Sequence, residues 1–242
     1  MTDAALASYA ATIAPEIDRV RMALVRGAGA ALGEMIARFG ITPDAAMVAS
    51  MLRNLPPSRA VAAADVAELY VYQRDDYTDD ALGVLRDVGL VEGDDVISLT
   101  PSGLNAITEV MDVLARVATS LWPAVPAELD AALAAGRRAA AQAAVTGGVT
   151  FGVVYPVHVP PGMTPLAEFL ELLTPLRFHR FDAHVAAWRA AGHTAADLDR
   201  LTDAERAAVE ADTNQRNAAA YAGLTADERR DLLAGLHALK TE

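Results

Sequence analysis

The sequence predicts a mainly α-helical protein: an N-terminal unit with a helix-turn-helix and one small β-hairpin, then a C-terminal helical domain. Three observations predict it. Hydrophobic residues make up 53% of the 242 positions but aromatics only 5%, because Ala and Leu dominate, and such segments favour helix. Gly89-Leu90-Val91, Glu92-Gly93-Asp94-Asp95 and Val96-Ile97-Ser98-Leu99-Thr100 read as two short strands around a polar turn. Trp122-Pro123-Ala124-Val125-Pro126 breaks the helical pattern and separates residues 1–121 from residues 127–242.

The elements follow in order. Residues 3–39 hold one or two long helices, with Ile17, Val20, Leu24, Leu32 and Ile36 on a broad apolar face and Pro15 suited to a first turn. Gly27, Gly29 and Gly33 weaken that helix, so they are expected where helices pack closely or where backbone meets a ligand. Gly40 ends the pattern, Thr42 caps the next helix with Pro43 at its first position, and Pro56-Pro57 stops it. Residues 60–73 and 78–88 form the helix-turn-helix pair, and Thr100-Pro101 opens a long helix to about Ser120. Past the linker comes a helix from Glu128, then residues 146–165, where Gly147, Gly148, Gly152 and Pro160-Pro161-Gly162 predict an irregular or extended segment, strand or loop. Helical stretches resume at Leu166, and Thr202 with Glu205 and Thr225 with Glu228 fit capping boxes.

A helix-turn-helix followed by a hairpin is a winged helix. Leu90-Val91 after the second helix and Leu99-Thr100-Pro101-Ser102-Gly103 after the hairpin resemble the MarR-like winged-helix superfamily over residues 41–120. That resemblance implies a ligand-responsive transcriptional regulator that binds DNA.

The charge opposes it. The chain carries a net −12, and residues 61–120 hold 12 acidic against three basic residues. The second helix and its approach bring Asp75, Asp76, Asp79, Asp80 and Asp87 against Arg74 and Arg86, and the turn Glu92-Gly93-Asp94-Asp95 lacks the Arg that enters a minor groove. A duplex presents about one phosphate charge per 1.7 Å of axis, so this unit is repelled before any base is read. DNA and anionic membrane are poor partners for such a chain.

Other classes fall away on composition. Zero Cys excludes disulfides, thiolate-held metals and thiol catalysis. No apolar run approaches the roughly 18 residues of a membrane span, and the N-terminus lacks a basic segment before an apolar core, so a cytoplasmic protein is expected. Walker A, dinucleotide, Gly-x-Ser-x-Gly and His-Glu-x-x-His patterns are missing, and no cofactor is expected.

Chemistry concentrates in Leu176 to Trp188. On a helix Arg177, Arg180, His184 and Trp188 share one stripe, while His179 and Asp182 fall beside it, close enough to hydrogen-bond. Two guanidiniums fit a planar oxyanion, and His184, His179 and Asp182 are the candidate acid/base groups near neutral pH. Arg177, Arg180 and Trp188, with Tyr155 and His158 of the irregular segment, are the candidate ligand-binding residues. The alternative is internal pairing of these side chains with Glu168, Glu171 or the acidic helix-turn-helix. No metal is expected: a five-residue offset turns His179 and His184 about 140° apart. Asn214 and Asn217 are expected to face solvent or cap a bend, and His193 and His237 to be inert.

The run Leu176, Arg177, His179, Arg180, Asp182, His184, Val185, Ala186, Ala187, with Val209-Glu210-Ala211, Thr213, Ala218 and Tyr221-Ala222, resembles a family of actinobacterial helix-turn-helix-containing proteins of ill-defined function. It covers residues 166–236 and implies that both motifs surround one site. A basic complement of 19 Arg and one Lys fits a high-GC genome. The expected function is therefore a small-molecule-binding winged-helix protein, with a non-redox acid/base reaction (cyclisation, isomerisation or elimination) open to it. The ligand is a small organic molecule with an anionic or carbonyl group, and the winged helix serves dimerisation, as a homodimer, or closes the pocket. The alternative is the MarR-like regulator.

Overall fold

Capping residues set the helix boundaries in the computed structural model, which describes residues 2–53, 59–124, 126–197 and 200–240. Helix α1 (Asp3–Phe39) opens where the Thr2 hydroxyl accepts the Ala5 amide and closes at Gly40, whose φ of 67° is the left-handed stop that glycine adopts without strain. It is one helix, and Pro15 lies inside it instead of in a first turn. Pro15 is on the exposed side, while Ile13, Ala14, Ile17 and Val20 are buried around it, so packing outweighs the missing amide donor. Thr42 and Pro43 start α2 (Pro43–Leu52) as expected. The stop at Pro56-Pro57 lies outside the described residues.

Next come β1 (Val61–Ala62), α3 (Ala63–Glu68), α4 (Tyr77–Asp87), β2 (Val91–Glu92) and β3 (Val96–Leu99). The strands form an antiparallel sheet in the order β1-β3-β2, with Val61 opposite Ile97 and Val91 opposite Leu99. The expected hairpin is present. Strand β1 is an addition, since two residues carry no legible alternation. Its formation also shortens the helix predicted over 60–73: residues 61–62 pair with β3, and the chain turns after Glu68.

Helix α5 (Pro101–Leu121) starts where the Thr100 hydroxyl accepts the Gly103 amide. Gly103 seats this first turn directly on Leu90, the residue before β2: a Cβ there would lie 1.9 Å from the Leu90 carbonyl oxygen, backbone against backbone. The glycine of the Leu-Thr-x-x-Gly pattern is therefore a packing requirement. Beyond a linker whose Val125 lies outside the described residues come α6 (Leu129–Thr146), α7 (Val149–Val154), α8 (Pro165–Ala190), α9 (Asp203–Asn217) and α10 (Ala226–Ala238). Residues 146–165 thus hold a short helix and a non-helical stretch, with no strand. Helix α8 runs unbroken through Pro175. Both capping boxes form, at Thr202 with Glu205 and Thr225 with Glu228. The protein is mainly helical with one small sheet, and among the described residues no helix is long and apolar enough to cross a membrane.

Two hydrophobic cores organise these elements. The larger joins α1, the end of α5, α6, α8, α10 and the turn at Ala218–Tyr221, with Phe169, Leu173 and Tyr221 at its centre. The smaller joins α2, α3, α4, the sheet and the start of α5, and takes Val153, Val154 and Phe178 from α7 and α8. Helix α1 thus packs with the C-terminal helices, and α5 and α8 serve both cores. Of the three glycines in α1, only Gly27 marks a close approach, 2.9 Å from a Val117 methyl if it carried a Cβ; Gly29 and Gly33 face open space.

Gly103→Ala is expected to destabilise the protein by about 1–3 kcal/mol, because the first turn of α5 must back away from Leu90. At about 2–4 °C per kcal/mol this is a fall of several degrees in a thermal melt, whereas Gly29→Ala leaves the melt unchanged or raises it.

Candidate functional site

Thr164 caps α8 and Pro165 occupies its first turn, which fixes the phase of the helix. That phase buries Glu171, Thr174 and His179 along with its Leu and Phe side chains. The polar groups of α8 consequently meet partners on α1, α6, α7 and α9, at the end of α2, and at Glu68 of α3.

Towards α9, His179 is 3% exposed and lies with Nδ1 3.0 Å from Asn217 Oδ1 and Nε2 3.0 Å from Thr146 Oγ1. An amide oxygen only accepts, so Nδ1 carries the proton and the Thr146 hydroxyl donates to Nε2. Arg180 donates to Asn214 Oδ1 at 2.8 Å and to Glu210 Oε1 at 2.5 Å. One turn on, the Thr213 hydroxyl donates to the Val209 carbonyl at 2.8 Å, so His184 Nδ1–H donates to Thr213 Oγ1 at 3.3 Å. His184 Nε2 is left with no hydrogen-bond partner among the described residues. Burial pushes the pKa of both histidines down: for His179 against the Asn217 hydrogen bond and the charge of Asp182, for His184 with help from the nearby Arg180 charge.

Towards α7, Asp182 accepts the backbone amides of Gly148, Thr150 and Phe151 at 2.9, 3.1 and 2.9 Å, and the Thr150 hydroxyl at 2.8 Å. A carboxylate at a helix start satisfies donors that would otherwise be orphaned. The expected His179–Asp182 hydrogen bond is therefore replaced, because α7 takes the carboxylate. Asp182 fixes α7 and is not free to relay a proton.

Towards α1 and α2 lies a cluster that spacing along α8 did not reveal. Arg53 is 7% exposed and Glu171 4%; Arg53 Nε donates to Glu171 Oε2 and Nη2 to Thr174 Oγ1, both at 3.2 Å. Arg21 donates to the same Thr174 hydroxyl. Burial, with the like charges of Arg53 and Arg177, disfavours the charge of Arg21, and Glu171 and Asp18 oppose them. Arg177 pairs with Asp18 at 2.7 Å. The counter-charges of Arg177 and Arg180 thus come from α1 and α9. The expected partners lie elsewhere: Glu168 pairs with Arg137 and Glu171 with Arg53.

Trp188 is 5% exposed, its indole donating to the Thr194 carbonyl at 3.1 Å and its ring 5.5 Å from His184. Tyr72, in the turn after α3, meets Phe181, His184 and Trp188 edge-on, and its hydroxyl is buried without a hydrogen-bond partner among the described residues. Tyr155 stands one ring away from the cluster, stacked on Phe151, which meets His179. His158 makes no hydrogen bond, ion pair or ring contact with the cluster among the described residues. Asn217 is 1% exposed, which corrects its expected solvent position, and Asn214 holds Arg180. Val209, Thr213 and Asn217 recur every four residues on one face of α9, and that spacing was the available signal.

Little open space adjoins these groups. The recess beside Arg177, Arg180 and Asn217 measures about 10 Å³. A larger concavity of about 430 Å³ lies elsewhere, between α1 and α5, bordered by Glu34, Arg38, Glu109, Asp112 and Arg116 over Met35. Among the described residues no three His, Asp or Glu side chains converge as metal ligands would.

His179 gives a pH signature. Its folded pKa lies below the unfolded value of about 6.5, so its contribution is complete above that pH. As pH falls below about 6.5 the unfolded chain binds a proton that the folded chain refuses, and stability drops by up to about 1.4 kcal/mol per pH unit. Melting temperature should decline from about pH 7 to about pH 5.5, and His179→Gln should flatten part of that slope. An identical slope in the variant places the acid sensitivity elsewhere.

Comparison of the chain with protein-family models, curated proteins and solved structures finds no match.

Proposed function

We propose that the chain is a small-molecule-binding protein built on a MarR-like winged helix that does not read DNA. The order helix, strand, helix, helix, strand, strand, with the last strand central, supports a winged helix over α2 to β3. One observation carries the rejection of DNA: the two guanidiniums of the helix-turn-helix stand among eight exposed carboxylates, and both are already bonded to groups of the unit. Arg74 pairs with Asp76 and with Asp80. Arg86 donates to the carbonyls of Gly93 at 2.7 Å and Asp94 at 3.2 Å, tying α4 to the hairpin tip. Asp75, Asp76, Asp79, Asp80 and Asp87 are exposed, as are Glu92, Asp94 and Asp95 of the hairpin. Among the described residues, a phosphate arriving at that face meets eight carboxylates against two guanidiniums.

The ligand reading rests on α8. His184 is neutral at physiological pH and has, among the described residues, an unpaired Nε2 that can accept a proton; the charge of Arg180 acts on it, and Arg177 and Arg180 border a recess on the α1 side where an oxyanion can be held. The winged helix reaches this region through Tyr72 and through Arg189, which pairs with Glu68 at 3.2 Å. It covers the helix that carries the site.

Fluorescence anisotropy with labelled random-sequence and promoter duplexes tests the reading. At physiological salt the wild type should leave both duplexes free at about 10⁻⁵ M protein, inside the range where non-specific binders associate. The triple change Asp79→Lys, Asp80→Lys, Asp87→Lys should create salt-sensitive binding. Wild-type binding at that salt would favour the regulator.

A further inference from the structure

The recess between α1, α8 and the end of α9 is bordered by Ile17, Asp18, Arg177, Arg180, Asn217 and Tyr221. At about 10 Å³ it holds one water-sized group. Asn217 is 1% exposed there; its Oδ1 is held by His179, and its Nδ2 has no acceptor at hydrogen-bond geometry among the described residues, the nearby Tyr221 hydroxyl feeling the amide without forming such a bond. A buried amide donor of this kind calls for an acceptor. The neighbouring guanidiniums have donors to spare. Arg177 uses only Nε, towards Asp18, and Arg180 uses only its two Nη atoms, towards Asn214 and Glu210.

Charge points the same way. Among the residues that border the recess two guanidiniums, Arg177 and Arg180, meet one carboxylate, Asp18, and Glu210 reaches Arg180 from outside it, inside a chain of net −12. The mouth is marked by the Arg177–Asp18 pair, whose side chains are 44% and 51% exposed. An exposed pair is weakly held and is replaceable by a group of the same chemistry.

We propose that this recess is a carboxylate site: one oxygen of a small organic monocarboxylate accepts from Asn217 Nδ2 and from Arg177 and Arg180, and displaces Asp18 from Arg177. Asp18 then acts as a built-in competitor that closes the empty site. His179 is a positioning residue, since its Nδ1–H fixes the amide so that the donor, not the oxygen, is left for the ligand. The rest of the ligand stays outside the mouth, on the α1–α8 surface.

This inference rests on the ligand-binding reading above, and the two fail separately. Acetate and benzoate are titrated into the full chain against sodium chloride at constant ionic strength, followed by calorimetry and by amide chemical shifts of residues 14–18 and 176–180. Saturable binding is expected, about two- to fivefold tighter in Asp18→Asn, where the competitor loses its charge. It should be about tenfold or more weaker in Arg177→Gln, at an exposed position where the fold is not at stake. Asn217→Asp, which puts an anion where the donor was, should abolish binding; circular dichroism checks that it folds. No saturable response in either wild type or Asp18→Asn overturns the recess, as does equal affinity in Arg177→Gln. A flat titration beside duplexes that stay free overturns the recess alone, whereas a bound duplex overturns the function proposed above.

Discussion

Helix α8 is sunk between two hydrophobic cores, so every polar group it carries inward has to find its partner on a neighbouring element. Buried polar atoms without partners are costly, and buried charges more so. That constraint sets much of the surrounding structure. Asp182 fixes the start of α7, His179 and Arg180 fix the register of α9, Glu171 recruits Arg53 from the end of α2, and Thr174 recruits Arg21 from α1. The apolar contacts of Ala-rich helices are small and nearly interchangeable. The polar pairs are directional, and they specify which residue stands opposite which.

The same constraint explains why the motif on α8 reads as catalytic in sequence and as architecture in structure. Arg, His and Asp at helical spacing are what a proton-transfer site needs, and also what a buried helix needs to lock onto its neighbours. The two uses separate on unspent valence. Asp182 has four donors around it and none of its capacity to spare; Trp188 is buried with its indole satisfied. His184 Nε2, Asn217 Nδ2 and the Tyr72 hydroxyl keep theirs. Those unspent atoms lie on two sides of α8, one facing α1 and α9 and one facing the turn after α3.

What was legible in the sequence was local. Thr42, Thr100, Thr202 and Thr225 each cap the helix that follows them, and Gly93 marks the hairpin turn at a φ of 88°. Helix continuity through Pro15 and Pro175 was not legible, because packing on either side decides whether a helix survives a missing amide. Strand β1 was too short to show a period, and α7 is held by a carboxylate 31 residues further along the chain. The partners of Arg177, Arg180 and Arg53 lie 159, 30 and 118 residues away. Spacing along one helix finds the donors; only the tertiary fold supplies the acceptors.

The distribution of charge adds a further consequence. Carboxylates cover the exposed face of α4 and the hairpin, while the guanidiniums beside α8 are partly or wholly withdrawn from solvent. At physiological ionic strength surface potentials fade over about 8 Å, so a phosphate polymer approaching the acidic face is opposed along its whole length. At the proposed carboxylate site on the α1–α8 surface, a small monoanion would meet Arg177 and Arg180 with Asp18 as the bordering competitor. Size and charge would then be filtered together: a recess of about 10 Å³ leaves bulky groups outside it. On that proposal, an acidic exterior beside a small arginine-bordered recess favours small, singly charged ligands over nucleic acid.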